Sequence, residues 1–78
     1  MSDEQLFLFF WKQVRDKAAP LGVVVTGVDI GYYICWGAER WLFRFDPDRA
    51  RNDGVAPQVG EALEKIRAMQ MLEPGTLI

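Results

Sequence analysis

Apolar positions near the start of the chain recur at helical spacing. At about 100° per residue, Leu6, Phe7, Phe10, Trp11, Val14 and Ala18 share one broad face. Ser2 with Gln5 fits a capping box, and Asp3 and Glu4 sit where a first helical turn favours negative charge. The pattern predicts a helix from Asp3 to Ala18 that stops before Pro20 and Gly22. Glu4, Lys12, Gln13, Arg15 and Asp16 occupy its other side. Two residues break the order. Phe9 falls among Gln5, Lys12, Gln13 and Asp16, and Leu8 lies beside Glu4 and Arg15.

The period then changes. Leu21 to Val28 is β-branched with glycine near both ends and reads as a strand, and Asp29-Ile30-Gly31 reads as a turn. Tyr32 to Trp36 and Trp41 to Phe45 are two further strands, joined by Gly37-Ala38-Glu39-Arg40. A symmetric turn there sets Trp36 against Trp41, Ile34 against Phe43 and Tyr32 against Phe45. Alternation places all six on one side of the sheet, against the helices. Tyr33, Cys35, Leu42 and Arg44 fall on the other, partly open side, as antiparallel sheets allow.

Asp46 to Gly54 is polar and aperiodic, with Asp46-Pro47 suited to capping a short helical turn. Pro57 opens a last helix running to about Met71. Val59, Ala62, Leu63, Ile66 and Met69 form its inner face, and Glu61, Glu64, Lys65 and Arg67 its outer one. Glu61 and Lys65 stand at the favourable i,i+4 spacing. The expected fold is α+β: helix, three-stranded antiparallel meander, loop, helix, with both helices on one sheet face.

Composition narrows what such a domain does. The 78 residues have room for one compact domain, spanning 1–78. A chain this short buries only about 60% of its unfolded surface, so the aromatic content carries much of the core. Its single cysteine, Cys35, excludes an intrachain disulfide framework and suits a cytoplasmic setting. The opening Met-Ser-Asp-Glu-Gln predicts no secretory signal, and no apolar run approaches the length of a membrane span. The net charge of −2 argues against nucleic acid as the partner.

Histidine is absent, which removes the commonest general base and the commonest metal ligand together. Without it Cys35 has no imidazole to activate it, and its place between Ile34 and Trp36 suits packing. Asp46, Asp48, Asn52 and Asp53-Gly54 suggest a calcium loop, but the spacing fails. Ala50, Arg51 and Pro57 fall where an EF-hand needs a ligand, a glycine and a glutamate. Asp29, Glu39, Asp46, Asp48 and Asp53 all lie near turns, where hydration keeps them ordinary. There is no glycine-rich phosphate loop and no nucleophile elbow. The chain is expected to be non-catalytic and to carry neither cofactor nor metal.

Binding is what remains, and the candidate contacts are Leu8, Phe9, the acidic turns at Asp29, Glu39, Asp46 and Asp48, and the Tyr33–Arg44 face. Phe9 and the open sheet face also predict self-association as a homodimer. Arg40, Arg44, Arg49 and Arg51 beside aromatic strands offer the alternative of a small nucleic-acid-binding module, although Glu39, Asp46, Asp48 and Asp53 interleave with them.

The capped start Ser2-Asp3-Glu4-Gln5, the aromatic meander Tyr32 to Phe45 and the acidic Asp46-Pro47-Asp48 together resemble, in size and style over the whole chain, the phage-encoded inhibitors of bacterial defence, anti-CRISPR proteins in particular. The resemblance implies stoichiometric binding to a CRISPR surveillance complex such as Cascade, in the cytoplasm of a bacterial host. Acidic side chains would stand in for phosphates against the target's Lys and Arg. The modest charge leaves equal weight for apolar contacts through Phe9 or the open sheet face.

Overall fold

The computed structural model describes residues 2–28, 31–37 and 41–72. Helix α1 spans Asp3–Ala18 and its capping box is closed: Gln5 N–H donates to Ser2 Oγ at 3.2 Å, and Ser2 N–H donates to Gln5 Oε1 at 2.9 Å. A 3-10 turn over Ala19–Leu21 follows, and Gly22 at φ 76° reverses the chain. Strands β1 (Thr26–Val28), β2 (Tyr33–Trp36) and β3 (Trp41–Arg44) form an antiparallel sheet in the order β1-β2-β3. Helices α2 (Pro47–Asp53) and α3 (Ala56–Leu72) complete an α+β fold.

The register matches the aromatic alternation. Trp36 pairs with Trp41 and Ile34 with Phe43. Phe45 N–H donates to Tyr32 O at 2.9 Å, so the ladder continues one pair past the strands. Helix α1 covers the inner face: Phe10 is fully buried and stacks on Phe45 and Phe43 at 4.6 and 5.7 Å between ring centroids. Phe7 meets Tyr32 and Phe45. Gly27 lies on this side too, where a Cβ would stand 3.5 Å from the Phe7 ring, so α1 crosses close over β1. Val59, Ala62, Leu63 and Ile66 of α3 close the same core, with Met69 packed against it.

Two local features depart from the sequence pattern. The run Leu21 to Val28 contributes only Thr26–Val28 to the sheet. With Thr26 opposite Cys35, residue 25 falls where β2 ends, and a strand without a partner leaves its polar backbone unpaired. The Trp11 indole takes up Val25 O instead, at 3.2 Å. The β1–β2 turn needs Gly31, because a Cβ there would lie 2.7 Å from the Tyr33 ring at φ +79°. Tyr32 follows it at φ 55°.

The segment read as a loop is largely a helix. Asp46 caps α2, its Oδ1 accepting from Asp48 N–H at 3.0 Å and Arg49 N–H at 3.2 Å, and Pro47 opens the first turn. Its one buried residue is Ala50, too little to leave a periodic signal.

Candidate protein-binding surface

The covered inner face leaves the outer face of the meander without a packed element among the described residues. Pairing sets two rows across it: Val28, Tyr33 and Arg44, then Thr26, Cys35 and Leu42. Leu42 is 49% exposed and Val28 36%, while Val24, just before β1, reaches 81%. Tyr33 is half-buried and Arg44 exposed. Cys35 is buried although it faces outward, since its short side chain sits between Thr26 and Leu42. The result is an apolar patch with one charged group, Arg44, among its described residues.

The sequence identified Tyr33 and Arg44 as members of this face, and the structure makes them direct cross-strand neighbours. It did not single out Val28. Its shared parity with Thr26 is the signal that finds it, once β1 is placed against β2.

Leu8 and Phe9 are exposed, as their helical positions indicated, but on the outward side of α1 and so away from Tyr33 and Arg44. They do not form one patch. Leu8 borders a cleft of about 390 Å³ with Glu4, Phe7 and Tyr32, whereas Phe9 borders a shallower one of about 160 Å³ with Lys12 and Gln13. Asp46 and Asp48 stand together at the start of α2, with Asp46 Oδ1 committed to its cap. Asp29, Glu39 and Arg40, and the tail residues Leu77 and Ile78, lie outside the described residues.

The arginines of α2 are paired at the surface. Arg49 forms a two-pronged pair with Glu61, one contact at 3.0 Å, and Arg51 bridges Asp48 at 3.0 Å while also reaching Asp3. The Glu61 carboxyl is held below the usual glutamate range by the hydrogen bonds from Arg49, with slight burial opposing. The reciprocal hydrogen bond raises Arg49. The local Glu61–Lys65 pairing is therefore replaced: Glu61 goes to Arg49, and Lys65 Nζ donates to Leu42 O at 2.5 Å. Arg44 has no ion-pair partner among the described residues.

Among the described residues, no group of three or more Cys, Asp or Glu side chains is placed to hold a metal ion, and no helix is long and apolar enough to cross a membrane. Comparison with protein families, curated proteins and solved structures gives no match.

Proposed function

We propose that the chain is a non-catalytic protein-binding inhibitor that meets its target through the outer face of the meander, in the manner of an anti-CRISPR protein occupying a Cascade-type surveillance complex and blocking DNA recognition. The observation that carries the reading is the exposure of Val28 and Leu42 beside Tyr33 and Arg44 on the outer face. Contiguous apolar surface rimmed by polar groups favours protein partners, and a carboxylate on the target would answer Arg44. Commitment of Asp46 Oδ1 to the α2 cap and pairing of Asp48 with Arg51 at the surface shift weight from acidic mimicry of phosphates to these apolar contacts. The same pairing of Arg49 and Arg51 lowers the cationic field that a nucleic-acid module would need.

The test mixes purified Cascade-type complex, a fluorescent target duplex and the chain. Wild type is expected to co-elute with the complex and weaken its DNA binding by about tenfold or more at equimolar ratio. Leu42→Glu is expected to lose both effects while unfolding at nearly the wild-type temperature, as an exposed position allows. No co-elution and no change in DNA binding would sink the inhibitor reading. Salt-sensitive retardation of free nucleic acid, lost in Arg44→Glu, would replace it with the nucleic-acid module.

A further inference from the structure

A second recognition feature lies along the open edge of β3. Phe45 N–H donates to Tyr32 O, so alternation turns the N–H and C=O groups of Leu42 and Arg44 away from β2. Among the described residues no strand pairs with β3 on that side. Two cations stand there. Arg44 lies on the outer face and has no ion-pair partner among the described residues. Lys65 reaches the edge from α3, its Nζ donating to Leu42 O at 2.5 Å, and it forms no ion pair among them either. The nearby acids are committed or balanced. Glu61 goes to Arg49 and Asp46 Oδ1 caps α2, while Glu39 with Arg40, and Glu64 with Arg67, add one charge of each sign.

We infer that this edge takes up an extended acidic segment of a partner protein as a fourth, antiparallel strand. Strand addition satisfies the unpaired backbone groups, and side chains at alternate positions set the choice of partner. A partner residue opposite Arg44 forms a hydrogen-bonded pair with it and shares its outer face, so a carboxylate there meets the guanidinium. The next residue points to the inner side, from which Lys65 comes, and a second carboxylate draws the ammonium off Leu42 O. The third lies opposite Leu42 and is apolar. The partner's motif is therefore acidic, acidic, apolar from its N-terminal side. A second copy of β3 fits worse, because it sets Arg44 and Lys65 against further cations. An added strand would widen the outer face, and it rests on the protein-binding reading only for its partner being a protein. Peptide binding is measured without the surveillance complex, so either reading can fail alone.

The probe is the capped peptide acetyl-Thr-Glu-Glu-Val-Thr-amide, titrated into the ¹⁵N-labelled full chain. Saturable shifts of the Leu42 and Arg44 amide resonances are expected, with binding about tenfold tighter than for acetyl-Thr-Lys-Lys-Val-Thr-amide. Methylating the backbone nitrogen of the first Glu, the donor to Arg44 O, should abolish binding. Methylating that of the second Glu, which points away from β3, should leave binding nearly unchanged. Arg44→Glu, at an exposed position, should erase the preference for the acidic peptide. No shift at millimolar peptide overturns the inference, as does equal binding of the two charged peptides. Equal effects of the two methylations would mean attachment without strand pairing and overturn it too. Shifts at Leu42 and Arg44 that grow with protein concentration, without peptide, would make the occupant a second copy and likewise overturn it.

Discussion

The side-chain amide of Gln58 closes both backbone groups of Asp46: Asp46 N–H donates to Oε1 at 2.8 Å, and Nε2 donates to Asp46 O at 2.8 Å. Asp46 follows the last core residue of the meander, Phe45, and Gln58 lies in the first turns of α3. The amide therefore takes the place of a neighbouring strand and fixes the sheet to the helix. Gln58 is 1% exposed, the one buried polar residue among those described. Replacing it by Leu keeps the volume and removes both bonds, leaving the Asp46 N–H unmatched while Asp46 O keeps its bond from Ala50 N–H at 3.1 Å. The expected loss is about 1–3 kcal/mol in urea unfolding. A loss below about 0.5 kcal/mol would show that water replaces the amide without penalty.

Asp46 also caps α2 with its side chain, so its substitution should act on stability. Asp46→Ala is expected to cost about 1 kcal/mol, a fall in Tm of about 4–8 °C for a domain of this size. Asp48→Ala, which removes only an exposed pair with Arg51, should stay within about 0.5 kcal/mol. Thermal unfolding of the two variants side by side separates the cap from the surface ion pair. Equal effects would mean that Asp46 Oδ1 does not hold the helix start.

What the sequence made legible was what local rules determine. Helix α1 combined a closed cap with a sustained helical period, and both signals sit within the segment itself. The β2–β3 register followed from aromatic alternation about one turn. Strand β1 was read too long because β-branched composition states a preference, whereas pairing also needs a partner, and β2 ends at Trp36, opposite Val25. Helix α2 carries too short an apolar face to show a period. The Glu61–Lys65 pair was a sound local expectation displaced by Arg49, twelve residues away in sequence and invisible to helical spacing. Of the surface, the Tyr33–Arg44 pair was readable from strand parity. A cavity beside Trp36 and Trp41 was not, since its walls come from four stretches of chain: Gly22 to Val24, Trp36-Gly37, Trp41 and Met69-Gln70.

The Arg49–Glu61 pair makes a pH prediction with a definite sign. Its hydrogen bonds lower the Glu61 pKa in the folded chain, so the stabilisation is present above the unfolded glutamate value of about 4.3. It is lost as pH falls through the lower folded value. Glu61→Gln should therefore be less stable than wild type at pH 7, and the difference should shrink to nothing in acid. Because the pair is solvent-exposed, the difference at pH 7 should also shrink in 1 M salt. A difference that persists unchanged at pH 2 would mean that packing, not charge, accounts for it.

A lysine side chain covers part of the β3 edge, and this bears on whether the chain self-associates. Phe45 N–H donating to Tyr32 O fixes which backbone groups of β3 point inward, so alternation turns those of Leu42 and Arg44 to the open edge. Lys65 takes the Leu42 carbonyl at 2.5 Å, and just before the other edge strand the Trp11 indole takes Val25 O at 3.2 Å. An edge strand with a free carbonyl row templates pairing with another chain, and a lysine laid across it opposes that. Lys65→Met keeps helix propensity and stem volume while removing the donor and its charge. The expected result is a rise in apparent mass with concentration in sedimentation equilibrium, absent or weaker in wild type. Leu42→Pro in the Lys65→Met background should reverse it, because proline removes the outward N–H that a new strand would need. If Lys65→Met remains as monomeric as wild type at millimolar concentration, the lysine is incidental to edge protection and the meander edge is shielded by its shortness alone.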